Sequence, residues 1–185
     1  MPKGITDKVV VRLYRIQEFI ENEICVTTKQ IIHEFGLTHS QAFYVLQMLK
    51  NRGLIEEHVI GKLSIWCTAG HVLNDVYVGG AFISVADLEH AICKILENTR
   101  GHKATIRVSW VVDKIAEKVL VDPRQPLLLA YISEMLPIML SGIKKSTFRN
   151  AKAIEFYVVD TCSICNQFSE CPVCETLRKK LNCLD

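Results

Sequence analysis

The chain has 185 residues, of which 49% are hydrophobic and 23% charged, with a formal net charge of +2. This composition suits a globular chain with one large core or two small ones, and excludes a disordered or polyelectrolyte sequence. The even charge balance does not announce nucleic acid, so any such binding must come from local basic patches.

Met1-Pro2-Lys3-Gly4 leads into a charged amphipathic stretch with no apolar signal region, and the expected location is the cytoplasm, at the nucleoid. Thr6-Asp7 opens a first predicted helix, with Val9, Leu13, Ile16 and Ile20 on one face. Thr27-Thr28-Lys29-Gln30 is a capping box that starts a short helix carrying Ile31, Ile32 and Phe35, and Gly36 stops it. A second box, Thr38-His39-Ser40-Gln41, starts a third helix that buries Ala42, Val45, Leu46 and Leu49 and ends at Gly53. Apolar runs on either side of Ile60-Gly61-Lys62 predict a hairpin. Three helices with a tight turn and then a hairpin predict a winged helix-turn-helix over residues 1–67.

The stretch VTTKQIIHEFGLTHSQAFYVLQMLKNRGLIEE resembles the winged-helix superfamily. The resemblance implies that the third helix enters the major groove of DNA. His39, Ser40, Gln41, Tyr44, Gln47 and Lys50 would then face the bases, and Lys62 at the wing tip would meet phosphate. The helix holds few cations, Lys50 and Arg52, both at its C-terminal end, so a protein-docking face is an equal reading.

Residues 68–83 read as a packed linker, too apolar to be floppy, with Gly79-Gly80 near a boundary. Ser84-Val85-Ala86-Asp87 caps a helix with Leu88, Ala91, Ile92, Ile95 and Leu96 on its stripe. Further helices are predicted from about Ile106 to Val119 and from about Gln125 to Leu140, where Glu134 and Pro137 break the best candidate for a membrane span. Paired strands at Ile143 to Arg149 and Ala153 to Val159 complete a second, divergent winged-helix-like module over 84–160. Its hairpin holds Lys144, Lys145, Arg149 and Lys152, which suit either a phosphate backbone or a solvated edge protected from aggregation.

The remaining 161–185 form a cysteine-rich tail, in which Cys162, Cys165, Cys171, Cys174 and Cys183 account for five of the eight cysteines. Cys25, Cys67 and Cys93 lie among apolar residues, as reduced buried thiols of a cytosolic protein do, which weighs against disulfides. Two C-x2-C pairs only five residues apart, with a later cysteine, suit a [4Fe–4S] cluster on Cys162, Cys165, Cys171 and Cys183 better than zinc. Zinc stays open, as does a set with Cys174 in place of Cys183. The fold class is thus mainly α with small β-hairpins: two winged helix-turn-helix modules and a metal or cluster tail.

This architecture, with CSICNQFSEC and the later Asn182-Cys183, resembles the beta subunit of archaeal transcription factor E and the winged-helix iron–sulfur subunit of RNA polymerase III. The resemblance implies a [4Fe–4S] cluster on Cys162, Cys165, Cys171 and Cys183. It also implies a partner transcription factor subunit, and docking on RNA polymerase to aid promoter opening. Cys174 has no place in that pattern. Two other readings are a dimeric, sequence-specific regulator on duplex DNA with a sensing cluster, and a metal-stapled adaptor. The six histidines form no H-E-x-x-H pairing and no glycine loop carries a following Lys-Ser/Thr, so no enzyme is expected.

Overall fold

The computed structural model describes residues 7–70, 75–149, 155–168 and 170–183. The chain is mostly helical with small antiparallel sheets and a cysteine-rich C-terminal region. It begins with α1 (Asp7–Glu23), β1 (Cys25–Thr27), α2 (Thr28–Phe35), α3 (His39–Asn51), β2 (Ile55–Ile60) and β3 (Leu63–Thr68). Both capping boxes form: Thr27 Oγ1 accepts the Gln30 N–H and Gln30 Oε1 accepts the Thr27 N–H, and Thr38 and Gln41 do the same. Gly36, at φ 58°, ends α2 in the left-handed region, which a residue without Cβ enters at no steric cost.

The first sheet has the order β1-β3-β2, all antiparallel. Side chains alternate across a strand, so its two faces look in opposite directions. One face turns Val26 and Trp66 into a core with Leu13, Ile16, Ile20, Leu46 and Leu49. The Trp66 indole N–H donates to Thr28 Oγ1 at 2.9 Å, which satisfies its one polar atom. The other face turns Cys25, Ile65 and Cys67 into a second, larger core.

That larger core belongs to the rest of the chain. A hairpin of β4 (Asp75–Val78) and β5 (Ala81–Ser84) comes first, turning at Gly79-Gly80, where the sequence reading put a packed linker. It buries Val76, Val78 and Ile83. Then follow α4 (Val85–Leu96), β6 (Lys103–Arg107), α5 (Val108–Val119), α6 (Pro126–Met139), β7 (Lys144–Arg149) and β8 (Glu155–Asp160), with sheet order β6-β8-β7. From α4 to β8 the order helix, strand, helix, helix, strand, strand repeats that of residues 7–68, with the same strand order. Ile106, expected to start a helix, instead lies in β6, because Ala104 and Ile106 alternate into the core opposite Val159 and Tyr157. The tail is helical: α7 (Thr161–Gln167) and α8 (Pro172–Leu181).

Helix α6 is apolar almost all round, as a helix inside a core is. Of its residues only Pro126, Leu129 and Ile138 are exposed. It packs on α5 and also on β2, β3 and β4, so it lies in the seam between the first sheet and the second half. At that seam Glu134 Oε2 accepts the Lys62 N–H at 2.9 Å, and Ile60 and Leu63 on either side of the turn pack on the larger core. Among the described residues no helix is long and apolar enough to cross a membrane.

Gly61 sits at φ 59°, and a Cβ there would run into Glu134 Oε2. Gly61→Ala is therefore expected to cost about 1–2 kcal/mol, from the backbone conformation together with displacement of Glu134. Denaturant unfolding of Gly61→Ala, Glu134→Ala and the double variant checks this. The steric part vanishes in the double variant, so the two losses should fail to add by about 0.5 kcal/mol or more.

Candidate metal centre and helical face

The tail packs back on α4. The Thr161 N–H donates to His102 O at 3.0 Å and its hydroxyl to Gly101 O at 2.8 Å, tying the start of α7 to the loop after α4. Asp160 caps α7 by accepting the Ser163 N–H at 2.9 Å, and Gln167 donates to Met139 O at 3.0 Å. Ile164, Phe168 and Leu177 then complete the larger core, and α8 rests on α4.

This packing places the cysteines in three groups. Cys25 and Cys67 are direct partners in the β1–β3 register and form a disulfide. Cys162 and Cys183 form a second, with Cys162 Sγ 3.6 Å from His102 Nδ1. The third group is Cys93, Cys165, Cys171 and Cys174. Cys93 and Cys171 are disulfide-bonded, and the sulfurs of Cys93, Cys171 and Cys174 all lie within 4.8 Å of one another, a triad that could hold a metal ion. Cys165 and Cys174 are the free thiols, both fully buried and hydrogen-bonded to each other. Burial, with the hydrogen bond to Cys174, pushes the Cys165 thiol up to about 12 against a weaker opposing pull from Arg178. Burial also raises Cys174, while Cys165 and Arg178 work the other way.

The sequence reading set disulfides aside, and the structure corrects it: six of the eight cysteines are paired. The reason is register and helix packing, which bring together cysteines 42 and 78 residues apart. The expected ligand set is divided between two places, Cys162 with Cys183 and Cys165 with Cys171. Cys93, read as a plain core thiol, and Cys174, read as spare, stand where Cys165 and Cys171 are. A groove of about 570 Å³ opens over Cys93 and Cys171, lined also by Glu89, His90, Lys94 and Glu170.

The residues expected to face DNA are more scattered. His39, Ser40, Gln41 and Tyr44 are exposed on α3. Gln41 is engaged in its own capping box. Lys50 Nζ is 2.8 Å from Glu57 Oε2, and Gln47 also hydrogen-bonds Glu57. Burial opposes ionisation of Glu57, but these bonds and one from Ser64 together hold it below the usual carboxylate range. Of the two cations at the end of α3, Lys50 is thus neutralised from within. His39 stacks on Phe43 with ring centroids 6.3 Å apart, and Phe43 meets Trp66 edge-on. Lys62 is exposed, although its backbone is bonded to α6. Lys144, Lys145 and Arg149 lie along β7, the edge strand of its sheet, and Lys152 is outside the described residues.

No known protein family matches the chain, and no curated protein is similar to it in sequence. A hypothetical protein from Pyrobaculum spherical virus is similar in structure, with a TM-score of 0.45 and 16% identity over 84% of this chain and 97% of that one. A likeness at that level assigns neither fold nor activity.

In the oxidised protein, alkylation with iodoacetamide should label no cysteine in the native state, since Cys165 and Cys174 are buried. Both should be labelled after unfolding without reductant. Mass spectrometry of the peptides reads the sites, and native labelling at Cys93 or Cys171 would contradict the pairing.

Proposed function

We propose that the chain is a protein-docking component of a transcription assembly, built from two winged-helix units, with the exposed face of α3 as its contact surface. The repeated order of elements and the first-third-second strand order support the winged-helix reading of both halves. The observation that carries the docking reading is the chemistry of α3. Phe43 is 43% and Tyr44 56% exposed, whereas Lys50 is held by Glu57. Exposed aromatics over a face poor in free charge suit a protein interface better than a phosphate backbone. In the second half the corresponding helix, α6, is committed to the seam and has no comparable face to offer.

The resemblance to the transcription factor E beta subunit gives the docking a form: a partner subunit and RNA polymerase, with weak duplex binding by the chain alone. A sequence-specific regulator is the second reading. It is favoured by His39 and Ser40 at the open first turn of α3 and by Lys144, Lys145 and Arg149 along β7.

Fluorescence anisotropy of the full chain with a mixed duplex pool, between 50 and 200 mM salt, separates the two. Docking predicts a Kd of roughly 10⁻⁶ M or weaker, no sequence preference, and a salt slope of fewer than about three phosphates. Phe43→Ala with Tyr44→Ala should reduce retention of purified RNA polymerase about tenfold or more while leaving duplex binding unchanged. Tight, selective binding of one duplex would overturn the proposal and favour the regulator.

A further inference from the structure

We propose that Cys93, Cys165, Cys171 and Cys174 form a four-thiolate site for a single zinc ion in the reduced protein, joining α4, α7 and α8. The site is independent of the docking role. A tetrahedral zinc with Zn–S of about 2.3 Å holds its sulfurs about 3.8 Å apart. Three of these sulfurs already lie within 4.8 Å of one another, and the fourth, on Cys165, is hydrogen-bonded to Cys174. Binding one ion therefore needs the Cys93–Cys171 disulfide to open and the Cys165 sulfur to close on the triad. A [4Fe–4S] cluster gives each thiolate its own iron, which spreads the sulfurs and would require the core to open.

The local sequence prepares two of the ligands. Cys171 is the N-cap of α8, and Cys174 lies in its first turn. Pro172 between them, at the start of the helix, has no N–H to leave unsatisfied and a φ already set for the turn. A C-x2-C pair on such a turn presents both sulfurs to one side, as zinc knuckles do. Helix packing adds Cys93 from α4 and Cys165 from α7, which no local spacing announces.

Charge and access also fit. Four thiolates around zinc leave a net negative centre. The N-terminus of α8, where Cys171 and Cys174 sit, is positive in its dipole. Cys165 and Cys174 are sealed in the core, while the groove over Cys93 and Cys171 gives an ion its route in.

The Cys93–Cys171 disulfide and the zinc site use the same sulfurs and exclude each other. A dithiol reductant supplies two electrons and two protons to the disulfide, leaving two thiols and becoming a cyclic disulfide itself. The ion then displaces the thiol protons, which pass to solvent. Metal content thus follows the redox state of one cysteine pair. Cys162 and Cys183, beside His102, take no part.

The test is an anaerobic Co²⁺ titration of the full chain, reduced with a dithiol that is removed before metal is added. One equivalent should give the visible bands of tetrahedral cobalt with thiolate charge transfer, and Zn²⁺ should abolish them. Cys165→Ser and Cys174→Ser should each weaken binding by more than the ~100-fold that loss of a supporting residue costs. Cys162→Ser and Cys183→Ser should leave it unchanged. If the buried variants do not fold, Cys93→Ser at the groove carries the same expectation, and zinc should protect Cys165 of the parent chain from alkylation in mild denaturant. No cobalt uptake, uptake indifferent to Cys165, loss in Cys162→Ser, or protein isolated with iron and sulfide would each overturn the site.

Discussion

Strand β3 carries Ile65, Trp66 and Cys67 in succession, and all three are buried, because the first sheet has a core on each face. A sheet at the edge of a free-standing domain would put polar residues on one side; this one meets α6 and the β4–β5 hairpin there. The seam is therefore apolar, and the two halves share one of their cores. Apolar area at such a contact is worth roughly 25 cal/mol per Å² removed from water. The single Glu134 bond to the exposed Lys62 turn adds alignment more than energy.

The seam decides which surfaces remain for function. It buries most of α6, while α3 keeps one face exposed, with Phe43 and Tyr44 on it. Helix α8 closes on α4, so the sulfur chemistry of the tail rests on the second half rather than on a loose end. The turn of the first hairpin stays exposed but is tied to α6 through Glu134. The docking proposed for α3 and the cysteine chemistry of the tail thus involve different elements.

What could be read from the sequence was local. The two boxes, Thr27 with Gln30 and Thr38 with Gln41, and the cap at Ser84 depend on residues three apart, and all form, the last as a box with Asp87. The helical stripes are equally local, and so is the hairpin turn at Gly61. β1 and β6 were missed because strands of three and five residues carry too few alternations to stand out, and β6 runs directly into α5. The cysteine pairing was missed for a different reason. Spacing weighs neighbours along the chain, whereas Cys25 meets Cys67 through sheet register and Cys93 meets Cys171 through the return of α8 onto α4. The available signal was that Cys93 sits on the buried stripe of α4 beside Ile92 and Leu96, facing whatever the tail brings there.

Hydrogen exchange of the intact chain, read by mass spectrometry, tests the central claim that α6 is an interior element holding the two halves together. The account predicts that the amides of α6 and β3 exchange together and last, at the free energy of global unfolding, while α3, with one face in solvent, exchanges earlier. Exchange of α6 as early as α3, with β3 opening independently of it, would contradict the shared core and return α6 to the surface as a helix free to bind.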